Sequence, residues 1–144
     1  MIYKFINNIC EILNISVPTI SFNTSNFPSA TTMAQINSSG TVIYLRKFDN
    51  PNPDQLFSVA HELRHKWQIQ FDKEWYFSDY KPKELCSSTE EYNLQFAEID
   101  AHAFAGLIME EFFHLQPLFQ GLSDAVKTEI YKRIEYIVAT EFSQ

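Results

Sequence analysis

Cysteine, glycine and proline are all scarce in this sequence. Its 144 residues include 2 cysteines, 3 glycines and 6 prolines. Two cysteines cannot form the disulfide framework of a small secreted protein, so a cytoplasmic location is expected. With 45% hydrophobic and 15% aromatic residues, the composition excludes a disordered or low-complexity chain. The length predicts a single domain over residues 1–144.

Positive charge is also in short supply. The sequence has 11 Lys and Arg residues and 18 Asp and Glu residues, which gives a net charge of −7. Such a chain lacks the basic field that holds a phosphate backbone, so direct nucleic-acid binding is not expected. No run reaches the roughly 18 apolar residues that cross a membrane, and polar residues interrupt the amino terminus where a signal peptide would be apolar. The expected partner is a protein or peptide, and the oligomeric state is left open.

Hydrophobic periodicity predicts an α+β fold. Apolar residues at helical spacing predict helices at residues 1–13, 54–70, 89–114 and after Ser123. Ser88 or Thr89 is expected to cap the third of these helices, and Ser123 the last. Shorter apolar segments predict strands at residues 19–23, 33–37 and 41–47. Ser38, Ser39 and Gly40 predict a hairpin turn between the last two strands, and the three strands are expected to form a small antiparallel sheet.

An aromatic stretch with no clear period separates the second and third predicted helices. It covers residues 71–88 and contains Trp75, Tyr76 and Tyr80. A connection of this length suits either a cover over the edge of the core or a lid over a substrate.

Residues 61–65 read His-Glu-Leu-Arg-His, which is the HExxH arrangement. Residues four apart on a helix lie only about 40° apart around the axis, so His61 and His65 can reach one ion. Glu62 lies about 100° from His61, where its carboxylate can contact a reacting water without binding the metal. The pattern predicts a Zn²⁺ site with Glu62 as the general base. Arg64 and Lys66 are expected to be solvated.

A catalytic zinc usually has three protein ligands, so this interpretation requires a third. The third predicted helix offers Glu98, Asp100 and His102. Glu98 and His102 lie one turn apart on one face, whereas Asp100 points roughly 200° away from Glu98. A carboxylate beside two histidines is a common zinc set, which favours Glu98. Helix geometry alone does not decide between Glu98 and His102.

The HExxH helix and the run EIDAHAFAGLIM that begins at Glu98 together resemble the ImmA/IrrE-like metallopeptidases. The second motif of that family reads roughly E-x-E-A-N-x-F-A-x-x-L-L-M-P, and the resemblance covers residues 42–109. Glu98 matches the position of the family's third metal ligand. The resemblance therefore implies that His61, His65 and Glu98 bind Zn²⁺.

The chain departs from the family pattern at Arg64, where glycine is common, at Glu110, where proline is usual, and at His102, where the family has asparagine. His102 brings a titratable donor close to the predicted metal. His102, Asp100 and Tyr44 are candidates for orienting a ligand or stabilising the oxyanion, and two more tyrosines of the aromatic stretch, Tyr76 and Tyr80, are further oxyanion donors. The strand at residues 41–47 is expected to be an edge that binds an extended peptide.

The resemblance implies a minimal zincin-like domain of the gluzincin type, of a family often found in mobile elements. In this arrangement an N-terminal helix and a small sheet precede the HExxH helix, the third-ligand helix and a C-terminal helix. The predicted function is a zinc-dependent intracellular peptidase that cuts a protein substrate, with a transcription repressor as the candidate substrate. The alternative is a non-catalytic, metal-containing module that sequesters a regulatory protein. Glu62 favours the enzyme, because a structural zinc has no use for a general base.

Overall fold

The computed structural model describes residues 1–142, which form two compact units. The first unit runs from Met1 to Trp67, and the second begins at Gln68. The described residues contain an N-terminal helix, a three-stranded sheet and four further α-helices, so the α+β class is confirmed. No helix within residues 1–142 is both long enough and apolar enough to cross a membrane.

The first unit opens with helix α1 (Ile2–Leu13). The helix ends at Asn14, whose left-handed backbone (φ 54°) lets its N–H bond to the carbonyl of Glu11 at 3.2 Å. The buried side chains follow the predicted helical spacing: Phe5, Ile6, Ile9, Cys10 and Leu13. The predicted helix is therefore confirmed.

Three short strands follow α1 at the predicted places. They are β1 (Thr19–Ser21), β2 (Ala34–Ile36) and β3 (Val42–Leu45). The predicted turn joins β2 to β3: the Oδ1 atom of Asn37 accepts from the N–H of Thr41 at 2.8 Å. Gly40 supplies the positive φ of 72° that this turn requires.

The sheet is mixed, so the prediction of an antiparallel sheet was wrong. The strand order is β1-β3-β2, with β2 antiparallel and β1 parallel to β3. Parallel pairing needs a crossover of a dozen or more residues, and the chain between β1 and β3 includes β2 and is long enough to provide it. Side chains alternate between the two faces of a sheet in parallel and in antiparallel strands alike. The sequence pattern therefore could not reveal that β1 is parallel to β3. The expectation that the third strand is an edge was also wrong, because β3 is central.

Helix α2 (Pro53–Phe77) carries the HExxH residues, and the boundary between the two units falls within it. Asn52 caps its start, since Oδ1 of Asn52 accepts from the N–H of Gln55 at 2.8 Å. The helix continues beyond the predicted end at residue 70, and a non-helical residue, Asp72 (φ −161°, ψ 80°), interrupts it. Part of the predicted loop is therefore helical.

The second unit continues with a short 3₁₀ turn (Lys83–Leu85) and helices α3 (Thr89–Asn93) and α4 (Phe96–Phe113). Ser88 caps α3 as predicted, because its Oγ accepts from the N–H of Glu91 at 3.0 Å. The prediction of one continuous helix was wrong.

The chain leaves the helical conformation at Gln95, between α3 and α4. The backbone there is extended (φ −62°, ψ 141°). The side chain of Gln95 accepts from the N–H of Lys81 at 2.7 Å and donates to the carbonyl of Lys81 at 2.9 Å. This bonding to a distant backbone group stabilises the break.

Helix α4 is buried along almost its whole length and packs on the last helix, α5 (Asp124–Glu141). Gly106 on α4 also leaves room for the segment before α5, because a Cβ at this position would meet the ring of Phe119 at 2.8 Å. Ser123 caps α5 as predicted, through a bond of 3.3 Å from the N–H of Val126. These contacts fix the helix on which Glu98 and His102 lie.

Candidate metal site

His61 and His65 lie one turn apart on α2 and bring two nitrogens together. Their Nε2 atoms are 3.1 Å apart, and the rings meet edge to face with centroids at 4.7 Å. Imidazole nitrogens that bind one tetrahedral zinc at about 2.0–2.1 Å lie about 3.4 Å from each other. The two histidines therefore fit a single ion.

Glu62 lies beside His61 and is half-buried. Both residues line an open pocket of about 200 Å³ in the first unit. The other lining residues are Thr31, Thr32, Met33, Ala34, Phe57 and Ser58. The carboxylate thus borders a space that water and substrate can enter, which suits the predicted general base.

Arg64 and Lys66 are buried, so the expectation that they are solvated was wrong. Lys66 Nζ donates to the carbonyl of Ser16 at 2.6 Å and contacts its Oγ at 3.0 Å. Burial lowers the pKa of Lys66 from its usual value, and the nearby Cys10 opposes that shift. The Arg64 guanidinium lies over the Trp67 ring, 3.7 Å from its centroid. A long cation can be buried where backbone oxygens or rings surround its charge, so these side chains help to fix the HExxH helix.

Glu98 is 2% exposed on α4, and a tyrosine hydroxyl holds its carboxylate. Tyr80 Oη donates to Oε2 of Glu98 at 2.7 Å and lies 2.9 Å from the hydroxyl of Tyr92. Burial, followed by the nearby Glu98 charge, raises the pKa of Tyr80 well above its usual range. Tyr80 therefore stays protonated and donates to the carboxylate. Because Tyr80 contacts Glu98, the predicted metal ligand, its hydroxyl suits the positioning of that ligand better than the binding of an oxyanion.

His102 lies one turn after Glu98 and is half-buried. Its Nδ1 is 2.8 Å from the backbone carbonyl of Glu98. A carbonyl only accepts hydrogen bonds, so Nδ1 carries the hydrogen and the lone pair of the neutral ring is on Nε2. Histidines that bind metals commonly have this arrangement, with the second ring nitrogen donating to a backbone carbonyl.

Within residues 1–142, His61, Glu98 and His102 form a group that could hold a metal ion. This group shares His61 and Glu98 with the predicted ligand set. His65 is outside it and is connected through its 3.1 Å contact with His61.

Asp100 and Tyr44, the other two candidates, lie in different surroundings. Asp100 is fully buried and accepts from Gln68 Nε2 at 2.8 Å and from Arg133 Nε at 2.8 Å. Tyr44 is on the central strand β3, paired with Ser21 on one side and Gln35 on the other. The contacts of Asp100 hold α4 and α5 together, and a role in catalysis for either residue stays a prediction.

A scan against protein-family models, a search of curated proteins and a search of solved structures each found no match. A metal site is therefore inferred from three features of this chain: the pair of His61 and His65, the Glu98 carboxylate bound by Tyr80, and the group that could hold a metal ion.

Proposed function

We propose that this chain is a zinc-dependent peptidase that binds its metal through His61, His65 and Glu98 and uses Glu62 as the general base. The observation that carries the proposal is the grouping of His61, Glu98 and His102 as a possible metal site. The HExxH order adds His65 one turn from His61 and places Glu62 beside the same face. An accidental cluster would not need a carboxylate at that position.

The donor atoms favour zinc over other common ions. Imidazole nitrogens with one carboxylate suit Zn²⁺, whereas Mg²⁺ and Ca²⁺ prefer oxygen ligands alone. Two histidines and a carboxylate also suit non-haem Fe²⁺, an ion of oxygenases. The adjacent Glu62 supports hydrolysis, because hydrolysis of a peptide bond needs a base for water.

His61, His65 and Glu98 would hold the zinc ion, which would supply Lewis-acid chemistry by polarising the scissile carbonyl and lowering the pKa of the attacking water. The carboxylate of Glu62 takes the proton of the attacking water and delivers it to the leaving amine. Tyr80 keeps Glu98 in one orientation through its 2.7 Å hydrogen bond. Each of these residues then has a separate role: Glu62 moves a proton, and Tyr80 positions a ligand.

An extended peptide is the substrate class that best suits the first unit. β2 pairs with β3 on one side and is an edge of the sheet. Ala34 of β2 lines the same pocket as His61 and Glu62. A peptide that adds to this edge as a further strand would pass beside Glu62.

The resemblance to the ImmA/IrrE-like metallopeptidases supports a protein substrate inside the cell. Because better-known members of that family cut helix-turn-helix repressors, a transcription repressor is the first substrate to test. This part of the proposal rests on analogy between families, whereas the metal chemistry rests on residues.

The test is the substitution Glu62→Gln, with Glu110→Gln on the exposed surface of α4 as the matched control. Each zinc-loaded protein is incubated with a proteome-derived peptide mixture, and the products are identified by mass spectrometry. Glu62→Gln should abolish cleavage and keep the zinc, since the amide cannot act as a base. The control should cleave like the wild type. A wild type that binds zinc but cuts no peptide would favour the binding module, and a zinc-free Glu62→Gln protein would mean that Glu62 is a ligand.

A further inference from the structure

A segment that is neither helix nor strand forms one side of the pocket beside Glu62. This wall segment (residues 29–33) precedes β2, and its residues Thr31, Thr32 and Met33 line the pocket. A segment outside helices and strands has no regular ladder of backbone hydrogen bonds, so other groups must fix its position.

Arg46, which follows β3, supplies such groups. Its Nε donates to the carbonyl of Thr32 at 2.9 Å, and its Nη2 donates to the carbonyl of Ser29 at 3.3 Å. The backbone N–H of Arg46 also donates to the carbonyl of Met33 at 3.3 Å. The carbonyl of Arg46 in turn accepts from the side chain of Gln55 at 2.6 Å, and Gln55 is buried at the start of α2. Arg46 therefore connects the wall segment to the HExxH helix.

The pocket itself suits one uncharged side chain. Its volume is about 200 Å³, which is below the roughly 300–1,000 Å³ of sites that hold a whole small ligand. Apart from His61 and Glu62, its lining residues carry no charge. The carboxylate of Glu62 disfavours an acidic side chain there, because like charges repel each other strongly where water is excluded.

We propose that Arg46 is a positioning residue which, by holding the wall segment, makes this pocket selective for one uncharged substrate side chain of about the size of leucine. The guanidinium fork donates to two carbonyls at once, which a single ammonium group does less well. Without Arg46 the wall segment has more conformations, so the pocket is formed for only part of the time and binds more weakly. This inference rests on the proposed peptidase and names the side chain that its substrate presents.

The test is NMR of the zinc-loaded protein with isotope-labelled methionine methyl groups. Of the three methionines, Met33 lines the pocket, whereas Met1 is 67% exposed and Met109 is buried in the second unit. N-acetyl-leucinamide should shift the Met33 signal alone, and the corresponding amide of N-acetyl-aspartate should not shift it at the same concentration. Arg46→Leu should weaken binding of the leucine probe about tenfold, since two hydrogen bonds to the wall segment are lost.

Lys47→Leu is the matched control, because it removes the same charge from the next residue, whose side chain is exposed. It should bind the leucine probe like the wild type. Arg46→Lys should bind with intermediate affinity, and it decides the matter if Arg46→Leu folds poorly, as shown by displaced Met1 and Met109 signals.

A wild-type Met33 signal that the leucine probe does not move, or an Arg46→Lys protein with wild-type affinity, would overturn the role of Arg46. The measurement reads binding and needs no cleavage. A wild type that binds the leucine probe but cuts no peptide would therefore overturn the peptidase proposal and leave the role of Arg46 in binding.

Discussion

At the scale of single residues, a chain of hydroxyl groups ends on the Glu98 carboxylate. Tyr92 contacts Tyr80 at 2.9 Å, and Tyr80 donates to Glu98 at 2.7 Å. Groups that hydrogen-bond a metal ligand fix its orientation and raise its affinity for the metal. Tyr80 is therefore expected to act through Glu98.

Replacing Tyr80 by phenylalanine should weaken zinc binding by about 10- to 100-fold, the usual effect of removing a partner of a ligand. The ring remains, so the fold should be kept. Competition with a chromophoric chelator measures the change. Tyr3→Phe, at a side chain that is 56% exposed on α1, is the control and should have no effect. Unchanged zinc affinity in Tyr80→Phe would show that Glu98 does not need this bond.

The residue-level prediction succeeded where spacing along one helix was sufficient. His61 and His65 were expected to share a face, and their Nε2 atoms are 3.1 Å apart. The same reasoning left Glu98 and His102 undecided, because both lie on one face of α4 and the structure groups both with His61. The contact of Tyr92 could not be predicted, since it depends on how a short helix packs and no motif marks it.

At the scale of helices and strands, the features that depend on neighbouring residues were predicted correctly. The features that depend on residues far along the chain were not. Ser88 or Thr89 was predicted as one cap and Ser123 as another, and Ser88 and Ser123 accept the expected backbone N–H bonds. The direction of β1 and the break at Gln95 depend on partners far along the chain, β3 in one case and Lys81 in the other. The burial of Lys66 was missed for the same reason, because its partner Ser16 is distant in sequence.

The ion pair between Asp100 and Arg133 is expected to be the main polar connection of α4 to α5. The two atoms are 2.8 Å apart, and the side chains are 0% and 10% exposed. Arg133→Met should lower the free energy of unfolding by about 3 kcal/mol, because it leaves a buried carboxylate without this cation. Urea denaturation measures the loss.

Lys132 is the matched control for Arg133, since its side chain is 69% exposed and its pair with Glu129 is at 3.4 Å. Lys132→Met should change stability by about 0.5 kcal/mol or less, as surface ion pairs contribute little. Equal losses in the two variants would contradict the assignment of Asp100 to the packing of α4 on α5.

At the scale of the whole molecule, the net charge of −7 affects how the central claim must be tested. An acidic surface attracts divalent cations without a specific site, and such binding is weak and screened by salt. A site of histidines and a buried carboxylate should instead keep its ion through extensive dialysis at high salt. Metal that survives this treatment therefore reports the proposed site.

The most direct measurement is the zinc content of the dialysed protein, by elemental analysis and native mass spectrometry. The wild type and Glu62→Gln should each retain about one zinc ion per chain, and Glu98→Ala should retain almost none because it loses a ligand. Circular dichroism of Glu98→Ala should confirm that the helices are still formed. A wild type without bound zinc after reconstitution, or a Glu98→Ala protein that keeps it, would contradict the proposed metal site.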